Sequence, residues 1–361
     1  MRIATRTQAN SSRSLQLATA TMLCVASTLG CAHTARTTMG AASQPFAKTG
    51  ALLSAMANGA RAIFEAKTVS LALDRIDQRT STLDHTYRHA GTGAGVTVYV
   101  FDGGILSTHP ELQGRVRKGF DGFPDDPAIC NAHGTAVAGA IAGTTLGVAP
   151  DAEIVDVKMV QCERLRGTIK AIVDGAKWTI ADHAKHGGTP AVANWSFIAD
   201  TAARIPALDS AVAALRAAGI AVVVSAGNVD VNACRVSPGN ADGSIVVGAS
   251  ALWRDPEDPR GFTMDRRAPG TAWGPCVDVY APGDSVLLPS LDRSLTPTVQ
   301  LWNGTSMSAG YVSGAIALFL ESNPSASPDD VHSWIVATAT PNVVRDARSP
   351  MTRLLYVGAR K

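Results

Sequence analysis

Apolar runs separated by glycine-bearing turns fill most of this chain, and their lengths and compositions sort them into strands and helices. Val96-Thr97-Val98-Tyr99-Val100-Phe101 is β-branched and aromatic and is cut off by Gly103-Gly104, which predicts a strand with Asp102 at its C-terminal edge. Ile220 to Ser225 is a continuous apolar run of strand length that enters Ala226-Gly227-Asn228, the pattern of a strand buried on both faces. Ala136 to Ala142 is small and apolar throughout and predicts a buried helix with His133 at its N-terminus. Met307 to Leu320 is long enough for another helix, entered through a sharp turn at Gly304. A last helix is predicted over Pro328 to Thr338, with Ser327 as its cap and Pro328 in its first position. Strands alternating with helices in a chain of 361 residues predict one large α/β domain, a doubly wound, mostly parallel sheet flanked by helices.

The N-terminal region has a different pattern. Arg2, Arg6 and Arg13 precede an uncharged stretch, Leu15 to Gly30, that ends in the small residues Gly30 and Ala32, so residues 1–32 are expected to be an export signal. The stretch is too short and polar for a stable membrane span. Leu29-Gly30-Cys31 offers lipid attachment at Cys31 as a second option, disfavoured by Thr28 where an apolar residue is usual. Residues 33–72 form a short leader, and residues 73–361 the main domain, whose tail carries no added domain. The expected location is secreted or periplasmic. Beyond Cys24 and Cys31 the chain keeps an even four cysteines, Cys130, Cys162, Cys234 and Cys276, which allow three pairings, and the absence of Cys-x-x-Cys spacing disfavours zinc. The net charge of +2, with interspersed signs, gives no basic stripe for nucleic acid. No repeat or partner motif is visible, and a monomer is expected.

Three predicted element ends carry an Asp, a His and a Ser: Asp102, His133 in His133-Gly134-Thr135, and Ser306 in Asn303-Gly304-Thr305-Ser306-Met307-Ser308. A serine hydroxyl is a weak nucleophile until an imidazole takes its proton, and a buried carboxylate fixes the imidazole tautomer. His133 would be the base, Asp102 its partner and Ser306 the nucleophile. The Asn228 side-chain amide and the Ser306 N–H, at a positive helix end, would hold a developing oxyanion. His109 lies in a Thr-His-Pro-Glu loop and is read as structural. His85, His89, His183, His186 and His332 sit among polar or helical surface residues and are expected to be solvated. Asn303-Gly304-Thr305 and Asn194-Trp195-Ser196 match the glycosylation pattern but fall inside the proposed site and are read as unmodified.

The order Asp, His, Ser is that of subtilisin, and over about Leu73 to Val357 the chain resembles the subtilisin-like serine proteases, in particular the proteinase K and aqualysin branch. The likeness extends to Asp74-Arg75-Ile76-Asp77-Gln78-Arg79, Ser107-Thr108-His109-Pro110-Glu111, Gly147-Val148-Ala149, Pro190-Ala191-Val192-Ala193-Asn194, Ser237-Pro238, Val277-Asp278-Val279-Tyr280-Ala281-Pro282-Gly283 and Asn323-Pro324-Ser325, all in the same order. The resemblance implies an exported serine endopeptidase that cleaves polypeptides through an acyl-enzyme, with no cofactor for catalysis. It selects the pairs Cys130–Cys162 and Cys234–Cys276. It also implies a structural calcium held by Asp278 together with carbonyls at Asp242 and Ser244; a loop-capping role for Asp278 stands beside that reading.

Departures from the pattern are equally specific. Asp102-Gly103-Gly104 replaces Asp-Thr-Gly, and His133-Gly134-Thr135-Ala136 replaces His-Gly-Thr-His. Met307-Ser308-Ala309-Gly310-Tyr311 replaces Met-Ala-Thr-Pro-His, so Gly310 is expected to loosen the helix that a proline would stiffen. The substrate-binding segment, usually Ser-Leu-Gly-Gly and able to pair with a peptide as an added strand, reads Ser196-Phe197-Ile198-Ala199, so a narrowed groove is expected; Gly227 is also assigned to substrate binding. Two arginines in Glu163-Arg164-Leu165-Arg166-Gly167 would favour acidic peptides. The leader of about 40 residues is shorter than the usual pro-domain, and only Ile63-Phe64-Glu65 resembles the last strand of one. The alternative is a catalytically weak or inactive binding protein on the same fold, its triad a remnant.

Overall fold

The computed structural model describes residues 63–199, 203–254 and 263–358; the expected export signal, Cys31 and the expected leader up to residue 62 lie outside the described residues. The strands are β1 (Ile63–Lys67), β2 (Thr86–Ala90), β3 (Thr97–Asp102), β4 (Val116–Asp121), β5 (Glu153–Lys158), β6 (Val160–Gln161), β7 (Arg166–Gly167), β8 (Ala191–Trp195), β9 (Ala221–Ser225), β10 (Ile245–Arg254), β11 (Thr263–Arg267), β12 (Val279–Pro282), β13 (Val286–Leu291) and β14 (Pro297–Trp302). The helices are α1 (Leu71–Ile76), α2 (His133–Ala142), α3 (Ile169–Lys185), α4 (Pro206–Ala217), α5 (Thr305–Ser322) and α6 (Pro328–Thr338).

Eight strands form the central sheet in the order β11-β10-β9-β8-β3-β5-β4, with β12 also paired to β10. All of these pairs are parallel except β10 with β11. The central strands β3, β8 and β9 are buried along their whole length, which is why they read as largely apolar runs. Along β3, Val98 and Val100 join the core that contains α2 and α5, while Tyr99 and Phe101 join the opposite core with α3 and α4. This is the doubly wound α/β architecture that the alternation of elements predicts.

Helix ends follow local chemistry. Thr168 caps α3 by accepting the Ala171 N–H at 3.1 Å, and Ser327 with Asp330 forms a capping box at α6, with Pro328 in the first turn. Ser70 caps α1, which begins at Leu71 and so runs across the 72/73 boundary expected between leader and domain. The segment Ile63–Lys67 is a strand, antiparallel to β2.

Helices α2 and α5 lie against each other in parallel, and glycines set their approach. A Cβ on Gly310 would stand 2.9 Å from Ala140 Cβ and 3.1 Å from the Val137 carbonyl; one on Gly314 would stand 2.9 Å from the Ile141 carbonyl. Gly310 therefore admits the neighbouring helix; it sits mid-helix in a buried contact, and the loosening expected from its sequence is replaced by close packing. His133 and Ser306 each lie one turn before this contact, which brings both N-termini to the same end of the molecule.

Candidate active site

The site is built where β3, β8 and β9 end and where α2 and α5 begin, the carboxyl edge at which open α/β sheets take ligands. Asp102 is the last residue of β3 and is buried. One of its carboxylate oxygens accepts the Gly103 N–H at 2.7 Å, and the other accepts His133 Nδ1–H at 2.7 Å. A carboxylate only accepts, so Nδ1 carries a proton, the tautomer in which a neutral imidazole accepts through Nε2. The contact depends on Gly134, where a Cβ would lie 2.6 Å from the Gly104 carbonyl and 3.1 Å from Asp102 Cβ. Asn131 Oδ1 accepts the His133 N–H at 2.9 Å. The Trp302 and His133 rings form a T-shaped pair, their centroids 6.3 Å apart and their planes inclined at 75°. Trp302 directly precedes the Asn303-Gly304-Thr305-Ser306 motif, a position that sequence reasoning passed over.

Ser306 sits in the first turn of α5, after Gly304 with φ 138°. Its hydroxyl donates to the Ser196 carbonyl at 3.2 Å, while Ser196 Oγ donates to the Ser306 carbonyl at 3.1 Å. Behind this pair, Asn194 Nδ2 donates to Ser196 Oγ at 2.8 Å and Ser313 Oγ donates to Asn194 Oδ1 at 2.9 Å. A buried polar chain thus ties the end of β8 to α5.

Asn228 follows β9. Its amide oxygen accepts both the Thr305 N–H, at 2.9 Å, and the Thr305 hydroxyl, at 3.0 Å. Because an N–H only donates, the facing atom must be oxygen, and Nδ2 is left facing the turn at Gly304, just before Ser306. The amide thereby caps a helix that has no capping side chain of its own.

The expected substrate-binding segment divides. Phe197 turns into the core, stacked on Trp195 with centroids 5.3 Å apart. Ile198 goes the other way, onto Gly227: its Cδ1 and Cγ2 each lie 3.0 Å from where a Gly227 Cβ would stand. Part of the backbone available to a peptide is already used, since the Phe197 carbonyl accepts Ser225 Oγ at 3.4 Å and the Ala199 N–H donates to the Ser237 carbonyl at 2.8 Å. Arg166 and Gly167 form the short strand β7 against β6, and Arg164 is exposed.

Disulfides join Cys130 to Cys162 and Cys234 to Cys276. The first lies against the site, because the Cys130 N–H donates to the Gly103 carbonyl at 2.8 Å.

Both Asp278 oxygens are taken up in contacts within the protein. One Asp278 oxygen accepts His332 Nε2–H at 3.1 Å and the other accepts the Val246 N–H at 2.8 Å. Asp242 is exposed and paired with Arg204 at 3.2 Å, Ser244 Oγ donates to the Ala241 carbonyl, and Arg216 donates to the Gly243 carbonyl at 2.6 Å. An imidazole and a backbone amide thus use both Asp278 oxygens in a loop-capping contact, while Arg204 and Arg216 bond the Asp242 side chain and the Gly243 carbonyl, not the Asp242 and Ser244 carbonyls that the resemblance puts around calcium. His332 is accordingly not a free solvated ring; its pairing with Asp278 raises its pKa. His89 and His183 are also buried, not solvated, with His89 stacked on Tyr87 and its pKa lowered by burial. His109 Nε2 donates to the Thr298 carbonyl at 2.9 Å, fastening the β13–β14 hairpin.

One buried acid was not foreseen. Asp156, on β5, is the register partner of Val100 and Lys118; one oxygen accepts the Ile105 N–H at 3.2 Å, and the other has no partner among the described residues. Burial first, then the charges of Asp102 and Asp121, push its pKa up to about 7, against the opposing effects of the Ile105 bond and Lys118.

The sequence model of the Subtilase family matches residues 93–354. The extracellular serine proteinase of Thermus sp. (strain Rt41A) is 40% identical over 287 residues, which covers 79% of this chain and 65% of that protein. Alkaline serine exoprotease A of Vibrio alginolyticus is 35% identical over 308 residues, 84% of this chain and 52% of that one. The chain thus spans between about half and two thirds of the length of these curated relatives. Among solved structures, the crystal structure of a cold adapted subtilisin-like serine proteinase matches with a TM-score of 0.70 at 34% identity, covering 82% of this chain and 100% of that one. With a family model that takes in every strand from β3 to β14, and with relatives 40% and 35% identical over most of its length, the chain belongs to the subtilase family.

Proposed function

We propose that this protein is an exported serine endopeptidase in which Ser306 attacks the carbonyl carbon of a peptide bond. His133 Nε2 takes the hydroxyl proton as the Ser306 Oγ–carbon bond forms, then gives it to the departing amine nitrogen as the carbon–nitrogen bond breaks. The acyl group is left as an ester on Ser306 and is released as a carboxylic acid by a water that His133 activates in turn. Asp102 holds the ring and stabilises the imidazolium. The Asn228 Nδ2 and Ser306 N–H groups receive the oxyanion.

The observation that carries this reading is the 2.7 Å bond from His133 Nδ1 to the buried Asp102, which leaves Nε2 basic at the end of the helix pair where Ser306 also sits. In the resting arrangement the Ser306 hydroxyl is held by the Ser196 carbonyl, and the reading requires it to exchange that acceptor for Nε2. Export is supported by the two disulfides, which persist in oxidising compartments, and by the extracellular relative. A binding protein on the same fold is the second reading, favoured by the crowding of Gly227 by Ile198. Turnover of small p-nitroanilide peptides separates the two: the enzyme reading expects hydrolysis that is lost in both Ser306→Ala and His133→Ala. Turnover that survives either substitution, or is missing from the folded wild type on every peptide tried, overturns it.

A further inference from the structure

We infer that Ile198 closes the recess beside the reacting serine, so that the protein cleaves after Gly or Ala and rejects large aromatic residues on the acyl side of the cut. The inference rests on the reading of Ser306 as the nucleophile.

A carbonyl under attack must lie within reach of both Ser306 Oγ and Asn228 Nδ2, and the side chain of the residue that owns it begins only two bonds away. The surface available to that side chain lies between the segments that leave β8 and β9. These strands are parallel neighbours, with Trp195 beside Val224, so the segments that follow them leave the carboxyl edge of the sheet side by side. One segment anchors Ser306 through Ser196; the other carries Gly227 and Asn228. The bare α-carbon of Gly227 would leave room between them.

Ile198 takes that room. Two of its side-chain carbons lie 3.0 Å from where a Gly227 Cβ would be, and only 6% of the residue is exposed. It is poorly able to swing aside. Isoleucine is stiff at χ1, and the backbone on either side is pinned by the bonds from Ser225 Oγ to the Phe197 carbonyl and from the Ala199 N–H to the Ser237 carbonyl. A hydrogen or methyl group on the substrate needs none of this space, whereas a benzyl group has to displace a packed sec-butyl group. Pocket fillings of this size discriminate by about 10- to 200-fold per methylene-scale clash.

The test compares tetrapeptide p-nitroanilides that differ only in the residue before the cut, Gly, Ala, Leu or Phe, with fluorophosphonate labelling as an independent measure of the serine. Wild type is expected to favour Ala over Phe in kcat/KM by about 100-fold. Ile198→Gly is expected to bring the two within about tenfold by raising the Phe value, with Ile198→Ala in between. A wild type that labels normally and cleaves the Phe peptide as well as the Ala peptide overturns the inference alone. So does an unchanged ratio in both variants when they label and melt like wild type. A folded wild type that neither labels nor cleaves any of the four overturns the serine reading, and this inference with it.

Discussion

Ser196 and Ser306 hold each other twice, the hydroxyl of each donating to the carbonyl of the other at 3.1 and 3.2 Å. The pair joins the end of β8 to the first turn of α5 and is backed by Asn194 and Ser313. Ser196→Ala removes one of the two bonds and leaves the buried Asn194 amide without its acceptor, an expected loss of about 1–3 kcal/mol in unfolding free energy. Activity should fall with it, mainly in kcat, because the position of Ser306 is loosened while the proposed reacting groups Ser306, His133 and Asp102 are unchanged. Urea unfolding with parallel peptide kinetics checks this; wild-type stability in the variant would contradict it.

The proposed chemistry gives Asn228 two jobs that substitutions can separate. Its oxygen caps Thr305, and its amino group would serve the oxyanion. Asn228→Ala is expected to lower kcat by about 10²–10³-fold, the scale known from removing one such asparagine donor in subtilisin. Asn228→Asp keeps an acceptor for Thr305 but offers no donor. It should therefore melt near wild type and still lose most of its turnover, and full turnover in Asn228→Asp would remove the side chain from the oxyanion site.

Asp278 and His332 predict a pH dependence of stability. The bond to Asp278 raises the imidazole pKa, with help from Asp329 and against burial and the charge of Arg216. The stabilisation is fully present below the ordinary histidine value and is lost as pH rises through the raised one. His332→Gln should flatten that part of the curve, measured as melting temperature between about pH 5.5 and 8.5. Added calcium should shift the melting of wild type and Asp278→Asn by the same amount. A calcium response abolished by Asp278→Asn would restore the metal to this position.

Asp156 acts with the same sign over a lower range. Its proton is held in the folded state up to about pH 7, whereas an unfolded chain releases it near the ordinary carboxyl value of 3.8. Stability is therefore lost as pH rises across that interval, by roughly 2–4 kcal/mol. Asp156→Asn keeps an acceptor for the Ile105 N–H and cannot ionise, so it should be more stable than wild type at about pH 8 and nearly equal to it at about pH 4. Parallel pH curves for the two proteins would contradict this.

Much of the frame was legible in the sequence because fully buried parallel strands and small-residue helices leave plain signatures. The run ending at Asp102, the run entering Asn228 and the helix at Pro328 all have their elements where the patterns put them, to within a residue. Pairwise relations were less visible. Whether Phe197 or Ile198 turns towards Gly227 depends on which finds a core, and Trp195 settles that by stacking on Phe197. The partner of Asp278 is a histidine 54 positions away, on the outer face of a helix, where surface patterning predicts solvent. Gly310 reads as a flexible point in isolation and becomes a packing contact only once α2 lies beside it. Asp156 interrupts an apolar strand without any local motif, and its burial follows from the two faces of the sheet.

One hydroxyl activated by one imidazole is the centre of the proposed chemistry. Its most direct measurement is the mass-spectrometric location of a fluorophosphonate adduct on the native protein, read in wild type, His133→Ala and Asp102→Asn. One adduct per chain on Ser306 is expected, absent in His133→Ala and strongly slowed in Asp102→Asn. An adduct on another residue, or one that forms on Ser306 at the same rate without His133, would contradict it.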